Sequence, residues 1–326
     1  MAPRKDTTPP KKKDKYRIRN WKEYNQSLIN RGSITFWFSE DAIAKWYSAE
    51  RTGKPGRPDT YSDDAIRCGL MIKMVFRTAL RALQGFVSSL IESLGLDIVC
   101  PHYSVFSRRA KDLRIPLRKL LKPGEKLNVV FDSTGVKVFG EGEWKVRKHG
   151  YSKRRTWRKI HVGMCIDSGQ IVVSAVTSNN VSDDEAMIHM MAALEGTSLG
   201  DCLGDGAYDT TDCREAVHDR GGRQIFPPDK NAILQKEQLL PAMRERDEAI
   251  QRIQELGDEG RALWKQEIGY HRRSRVETFM FRYKIILGDR LAARKKWTQA
   301  TEVAIKLDVL NRMTELGMPK SYKVVS

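Results

Sequence analysis

The first third of the chain has the apolar spacing of amphipathic helices. Ile66, Leu70 and Met74 fall on one face of a predicted helix. Ser62, which two acids follow, is a candidate N-cap for this helix, and Gly95 is a candidate terminator for the next one. The pattern predicts three helices in this region, over residues 65–78, 80–94 and 105–113.

The third predicted helix, which Ser104 would cap, is basic. It carries Arg108, Arg109 and Lys111. Two helices joined by a turn, the second of them basic, are compatible with helix-turn-helix DNA binding, although the turn is longer than usual for that motif. We therefore interpret residues 21–124 as a helical DNA-binding region, with a helical domain that only packs as the alternative.

After Pro123 and Gly124 the pattern becomes that of a mixed sheet. Three successive strands with a turn at Ser168-Gly169 indicate an antiparallel meander. The predicted order is three strands (126–136, 156–166 and 170–177), a helix (183–194), a strand ending at Leu203, a helix (211–220) and a strand (223–226). This order is that of the RNase H-like α/β fold, in which a mixed five-stranded sheet has helices on both faces. We expect it over residues 125–326.

Residues 229–267 have a different composition from their surroundings. They carry nine acidic and seven basic residues, and Leu239, Met243, Ile250 and Ile253 mark an apolar stripe. The pattern predicts a helical insertion there. One long helix over residues 268–287 and a final helix over residues 298–316 are expected to follow.

Positive charge is concentrated in three stretches of the chain. The formal net charge is +17, and residues 1–20, 145–159 and 270–296 carry +6, +8 and +7, so the remaining residues sum to −4. Such clustering is expected of a protein that follows a phosphate backbone. For residues 1–20 a flexible basic arm is expected, with a solubilising tail as the alternative. In the middle stretch, Tyr151 and Trp157 lie among the charges.

Size and composition narrow the class of protein. With 326 residues and a hydrophobic fraction of 40%, the chain is long enough for about two folded domains. Its five cysteines are scattered and form no Cys-x-x-Cys pair, so neither a disulfide framework nor a zinc site is indicated. No apolar run approaches a membrane span, and the basic first residues do not resemble a signal peptide. We expect a cytoplasmic protein with no membrane partner.

Three carboxylates hold related positions in the predicted fold. Asp132 lies near the end of the central first strand, and Asp205 follows the fourth strand, which would be its neighbour in the sheet. Glu277 lies on the predicted helix over residues 268–287. Each has an ordinary alternative, because either aspartate could cap a turn and Glu277 could form an ion pair. Other nearby acids suit a turn or the start of a helix better; these are Asp167, Asp183, Asp184 and Asp209.

Clustered carboxylates repel one another unless cations neutralise them. Hard oxygen ligands favour Mg²⁺, for which Mn²⁺ commonly substitutes, over zinc. Two such ions about 4 Å apart could activate an attacking hydroxyl and stabilise the leaving oxygen of a phosphodiester. The acids therefore predict a two-metal site, and no nucleotide cofactor is expected.

The segment around Glu277 matches a family signature. Tyr270-x2-Arg273-x3-Glu277-x6-Lys284 corresponds in full to the Y-(2)-R-(3)-E-(6)-K signature of bacterial insertion-sequence transposases. With FDSTGVKV, GEWKVRKHGYSKRRTWRKIHVG and GDGAYDT, the chain resembles the insertion-sequence five family of DDE transposases. The resemblance covers residues 125–316 and is looser over residues 1–124.

The signature also predicts a geometry. On a continuous α-helix, its four residues would lie within about 60° of one another. Arg273 and Lys284 are cations and cannot ligate a metal, so we expect them to bind phosphates beside the scissile bond. The alternative for Arg273 is an i,i+4 pair with Glu277.

The resemblance implies an activity, with Asp132, Asp205 and Glu277 as catalytic residues and metal ligands. A water activated by metal would cut the element's ends, and the exposed 3′-hydroxyls would attack target DNA. The partners would be terminal inverted repeats, target DNA and at least one further copy of the chain, associated with a bacterial nucleoid. Basic and signature residues are the predicted DNA contacts: Tyr270, Arg273, Lys284, Arg147, Lys148, Lys153, Arg154, Arg155, Arg158, Lys159, Arg108, Arg109 and Lys111.

Other classes of function remain as alternatives at this point. A nuclease of the same fold would cut without joining strands. A repressor would bind DNA without chemistry, but three carboxylates in a basic DNA-facing site would serve no purpose there. Serine or tyrosine recombination is disfavoured because Tyr270 belongs to the pattern that surrounds Glu277.

Overall fold

A computed structural model describes residues 15–48, 59–117, 124–138, 157–235 and 240–324. No helix in these ranges is both long enough and apolar enough to cross a membrane. The expected contacts at Arg147, Lys148, Lys153, Arg154 and Arg155 lie outside the described residues, as do residues 1–14 of the expected arm.

The N-terminal region is helical, as predicted. Its helices are α1 (Trp21–Asn30), α2 (Ile34–Trp37), α3 (Glu40–Ala44), α4 (Asp63–Val75), α5 (Leu80–Ser93) and α6 (Tyr103–Arg109). Ser62 caps α4 by accepting a hydrogen bond from the amide of Ala65, and Gly95 follows α5 with a φ of 62°. Ile66 and Leu70 are buried on the predicted face.

Helix α6 differs from the prediction at both ends. His102 is its N-cap, accepting a hydrogen bond from the amide of Ser104, so the helix begins two residues before the predicted first turn. It also ends at Arg109, which leaves Lys111 beyond the helix. The prediction that Ser104 caps a helix over 105–113 was therefore wrong.

The described strands form one five-stranded mixed sheet and a small two-stranded one. The large sheet contains β2 (Leu127–Lys137), β3 (Trp157–Cys165), β4 (Ile171–Ser178), β5 (Leu199–Leu203) and β6 (Arg223–Ile225), in the spatial order β4-β3-β2-β5-β6. Strands β2, β3 and β4 pair antiparallel, whereas β2–β5 and β5–β6 are parallel. The small sheet pairs β1 (Lys15–Ile18) with β7 (Ser321–Val324), which joins the two ends of the described chain.

Helices cover both faces of the large sheet because its strands bury side chains on both faces. On β2, Val129 and Phe131 belong to one buried cluster, which α7 (Asp183–Ala192) and α8 (Thr211–His218) cover. Val130 and Val136 belong to the other cluster. This arrangement confirms the RNase H-like fold.

The last part of the chain begins with α9 (Arg244–Glu255) and α10 (Gly260–Glu267) of the predicted insertion, which pack on each other, and α9 contacts the edge strand β6. The helices that follow, α11 (Ser274–Arg282) and α12 (Lys296–Leu316), cover the second face. Buried residues of α4, α6, α11 and α12 share one apolar cluster with the sheet. Arg67 of α4 also pairs with Asp308 of α12 at 2.7 Å, where the Asp308 side chain is 2% exposed. The N-terminal helices therefore pack directly on the sheet's covering helices.

Candidate active site

Asp132 lies in the middle of the central strand. It follows Val130 by two residues and so projects from the same face of the sheet, toward α11. Its Oδ1 accepts a hydrogen bond from the amide of Ser133 at 2.9 Å, and its side chain is 15% exposed. Strand β2 continues beyond it to Lys137, so Asp132 is held by the ladder on β3 and is no turn cap.

Asp205 reaches the same place from the neighbouring strand. Val130 of β2 pairs with Leu203 of β5, two residues before Asp205. Asp205 is the N-cap of a short 3-10 turn over Gly206–Tyr208, and its Oδ1 accepts a hydrogen bond from the amide of Ala207 at 2.9 Å. The capping alternative therefore holds for Oδ1, while Oδ2 faces the guanidinium of Arg273 at 3.5 Å.

One guanidinium contacts all three predicted acids. Arg273 Nη2 lies 3.5 Å from Asp132 Oδ1 and 3.5 Å from Asp205 Oδ2, and Arg273 Nη1 lies 2.6 Å from Glu277 Oε1. The Arg273 side chain is only 18% exposed. The structure thus brings the carboxylates of two strands and one helix to a single cation, and the i,i+4 pair with Glu277 is one part of that arrangement.

Burial and charge act on this cluster in opposite directions. Burial raises the pKa of Asp132 above its usual value, and the nearby carboxylates add to that shift, while Arg273 and the amide of Ser133 oppose it. Burial lowers the pKa of Arg273, but the surrounding acids outweigh burial, so its pKa is raised. Arg273 therefore stays charged, and its positive charge offsets the repulsion among the three carboxylates.

Tyr270 joins the signature segment to the strand that carries Asp205. Its hydroxyl donates a hydrogen bond to the carbonyl oxygen of Gly204 at 3.1 Å. The ammonium of Lys265 lies 4.9 Å from the centre of the Tyr270 ring. Burial raises the pKa of Tyr270 to about 12, so the hydroxyl remains a donor at neutral pH.

The signature segment is not one continuous α-helix, and the predicted helix over 268–287 was wrong in this respect. Gly269 has a φ of 68°, and residues 270–273 form a 3-10 turn before α11 begins at Ser274. After Arg282 the chain continues as a π-helical turn over Tyr283–Leu287. The wheel argument therefore does not apply across the whole segment. Lys284 lies in the π turn and is exposed.

Two neighbouring arginines hold the segment in place from other sides. Arg272 Nη2 pairs with Asp201 of β5 at 2.6 Å, and Arg275 donates to the carbonyl oxygen of Ile166 after β3. Sequence reasoning missed both anchors, because a run of arginines has the same local appearance whether it contacts protein or DNA.

The four other acids near the predicted site hold ordinary structural positions. Asp167 lies in the turn after β3 and accepts a hydrogen bond from Asn128 at 2.9 Å. Asp183 and Asp184 lie in the first turn of α7, as expected of helix-start residues. Asp209 pairs with the buried Arg214 at 2.7 Å.

The described basic residues outside the signature have mixed surroundings. Arg158 donates to the side chain of Gln299 at 2.9 Å, and Lys159 pairs with Asp183 at 2.7 Å. Arg109 pairs with Asp63 and Asp59, whereas Arg108 is exposed. Lys111 is 53% exposed and lies 3.6 Å from Asp112. Arg108, Lys111 and Lys284 thus present the most accessible charge among these described residues.

The donor set suits a hard divalent cation. Carboxylate oxygens of Asp132, Asp205 and Glu277 already surround one positive group, the guanidinium of Arg273. As their side chains stand, no three His, Cys, Asp or Glu residues of the described ranges form a group that could hold a metal ion. A divalent ion would therefore fit the chemistry of the acids only if the guanidinium moved away.

Comparisons with known proteins identify the family of the chain. Two family models match the chain, and both describe a transposase DDE domain, one over residues 29–141 and the other over residues 123–312. The second match spans more than half of the chain and includes all three acids, and the first is consistent with the insertion-sequence five resemblance. A cryo-EM structure of the piggyBac transposase synaptic complex with hairpin DNA is also similar, with 10% identity and a TM-score of 0.41, over 88% of this chain and 76% of that one.

Proposed function

This chain belongs to the DDE transposase family, whose members are polynucleotidyl transferases, and we propose that Asp132, Asp205 and Glu277 are its catalytic acids. In this proposal the protein binds the terminal inverted repeats of an insertion sequence, cuts them, and joins the 3′-hydroxyl ends to target DNA. The observation that carries it is the contact of all three carboxylates with the single guanidinium of Arg273.

The acids are proposed to work through Mg²⁺, with Mn²⁺ as a substitute and two ions in the complete site. Asp132 and Asp205 would be shared ligands, because they come from adjacent parallel strands, and Glu277 would complete the second position. When bound, the ions would activate the attacking hydroxyl and stabilise the leaving oxygen. The chain's own contribution is to hold three oxygen donors on rigid elements and to place cations beside them.

The DNA contacts are proposed from accessibility and charge. Lys284 is exposed in the π turn that directly follows α11, on the segment that carries Glu277. Arg108 and Lys111 lie at the end of α6 and just after it, and we assign recognition of the element's ends to that region. Because two ends must be joined to one target, at least two copies of the chain would act together.

The test is a set of neutral variants that keep side-chain size. Asp132→Asn, Asp205→Asn and Glu277→Gln should each abolish cleavage of an element end and joining of a pre-cut end, and leave end binding largely intact. Asp167→Asn is the matched control, because that carboxylate accepts its hydrogen bond in a turn after β3. Near-native cleavage in Mg²⁺ by any of the three variants would remove that residue from the site. Cleavage without joining in the unmodified protein would instead indicate a nuclease.

A further inference from the structure

In the protein without DNA or metal, the carboxylates of all three acids contact the guanidinium of Arg273. We propose that Arg273 is the internal counter-cation of the acids and that it competes with the divalent ion, so that Arg273 sets the metal affinity of the site. This inference rests on the proposed function of Asp132, Asp205 and Glu277, and it assigns Arg273 a positioning role in the free protein, before DNA is bound.

The geometry distinguishes this arrangement from an ordinary helix ion pair. An i,i+4 pair on an exposed helix joins two residues and contributes a few tenths of a kcal/mol. Arg273 instead extends beyond Glu277 to carboxylates on β2 and β5, at 3.5 Å from each. Its side chain is largely buried in doing so. The position of the guanidinium is therefore set by the carboxylates of the sheet as much as by the contact with Glu277.

A divalent ion and this guanidinium exclude each other. Ligation of Mg²⁺ requires carboxylate oxygens at about 2.0–2.1 Å from the ion. Arg273 nitrogens lie among the same oxygens, at 2.6 Å from Glu277 and 3.5 Å from Asp132. Two cations within a few ångströms also repel each other, most strongly beside the largely buried carboxylate of Asp132. The guanidinium must therefore leave before the acids can close around a metal ion.

The Nε atom of Arg273 does not anchor the side chain to the protein by a hydrogen bond. Its Nε is buried and has no hydrogen-bond partner among the described residues. An unpaired buried donor carries a desolvation cost, which a phosphate oxygen beside the scissile bond would relieve. Displacement by metal and contact with phosphate are thus compatible steps for one side chain.

Arg272 provides a matched control. It is the preceding residue, it carries the same charge, and its Nη2 pairs with Asp201 at 2.6 Å. Its Nε also donates to the carbonyl oxygen of Gly269 at 3.2 Å. Arg272→Gln removes the same charge from the same turn without removing a contact to the three acids.

The experiment measures Mn²⁺ binding to the full chain without DNA, by electron paramagnetic resonance of the free ion. Arg273→Gln should bind Mn²⁺ more tightly than the unmodified protein, on the order of tenfold or more, because one competing charge is removed. Arg272→Gln should bind as the unmodified protein does. Arg273→Lys should be intermediate, because an ammonium keeps the charge but cannot span three carboxylates. Binding of Mn²⁺ by Arg273→Gln that is equal to or weaker than binding by the unmodified protein would overturn the proposal.

Stability provides a second readout that does not depend on activity. Without metal, Arg273→Gln should have a lower melting temperature than Arg272→Gln, because its acids repel one another, and Mn²⁺ should raise it by a larger increment. An increment no larger than that of Arg272→Gln would count against the counter-cation role.

Asp132→Asn separates this inference from the proposed function. If Asp132→Asn weakens Mn²⁺ binding and Arg273→Gln does not strengthen it, only the inference about Arg273 fails. If Asp132→Asn leaves Mn²⁺ binding unchanged in both the unmodified and the Arg273→Gln backgrounds, the acids are not the metal site. In that case the proposed function fails together with the inference.

Discussion

Tyr270 donates its hydroxyl hydrogen bond to the carbonyl oxygen of Gly204, the residue immediately before Asp205. This bond connects the 3-10 turn that precedes α11 to the end of β5. Its two partners are 66 positions apart in sequence, so the bond fixes the distance between the elements that carry Asp205 and Glu277. Small displacements of positioned groups have large effects on rate, and the bond therefore has consequences for catalysis.

Tyr270→Phe should lower the rate of cleavage several-fold and reduce the free energy of unfolding by only about 1 kcal/mol, since one hydrogen bond is lost. Tyr283→Phe is the control. Tyr283 is buried in the same segment, and its hydroxyl has no hydrogen-bond partner within the described ranges. Single-turnover cleavage and urea unfolding would be measured on both. Equal cleavage rates in the two variants would show that the Gly204 contact does not position the site.

Lys284→Gln should reduce the slope of log affinity against log salt by about 0.9 in magnitude on duplex DNA, because one phosphate contact is lost. Mn²⁺ binding to the free protein should not change, since Lys284 is exposed in the π turn and no contact of it with the acids is seen. Arg252→Gln removes an equal charge from the insertion, where Arg252 pairs with Glu267 at 2.8 Å. A slope that falls equally in both variants would indicate a general charge effect.

Arg108→Gln combined with Lys111→Gln should weaken binding to an inverted-repeat duplex more than binding to a scrambled duplex. The full chain is the material for this measurement, because the N-terminal helices share their apolar cluster with α11 and α12. Arg109 is left unchanged, since its pairs with Asp59 and Asp63 are structural. Equal losses on the two duplexes would assign sequence recognition to another part of the protein.

Gly69→Ala should destabilise the protein by about 1–3 kcal/mol, because its new Cβ would lie 2.4 Å from the ring of the buried Phe106. That contact sets how closely α6 approaches α4. Gly85→Ala, in α5, meets nothing within 4 Å and should instead stabilise by about 0.5–1 kcal/mol. Urea unfolding of both variants measures the difference, and a neutral Gly69→Ala would mean that α6 can shift freely.

Arg67→Met should cost about 3 kcal/mol of unfolding free energy, because it leaves the buried carboxylate of Asp308 without its 2.7 Å partner. Asp308→Leu in the Arg67→Met background should recover part of the loss, since the unpaired buried carboxylate is removed while Arg312 loses its 4.0 Å contact with Asp308. Chemical denaturation of the single and double variants gives the coupling. A double variant as unstable as Arg67→Met alone would show that packing, not charge, dominates between α4 and α12.

Most of the helices and strands follow from the amino-acid sequence, which also predicts the three acids. Period-2 spacing predicted the strands of the large sheet to within one or two residues, because burial on each face dictates which positions are apolar. Strands β1 and β7 were not predicted. Asp132 and Asp205 could be placed together because their strands were expected to be neighbours in the sheet, although Asp132 lies in the middle of β2 and not near its end as predicted. The spacing from Tyr270 to Lys284 identified Glu277 through resemblance, and the family match supports the identity of the chain as a transposase.

The contacts among these groups depend on the three-dimensional fold. Local spacing treats Arg273 as a partner for Glu277 alone, and its contacts with Asp132 and Asp205 exist because β2, β5 and α11 converge. The α-helix is interrupted at Gly269 and again at Tyr283, and a helical-wheel prediction could not show this because it assumes one uniform helix. The ion pairs of Arg109 could not be predicted from the sequence either, because ion pairs between residues 46 or more positions apart leave no local pattern. Long-range electrostatic contacts depend on where the fold brings charges, and one-dimensional periodicity does not contain that information.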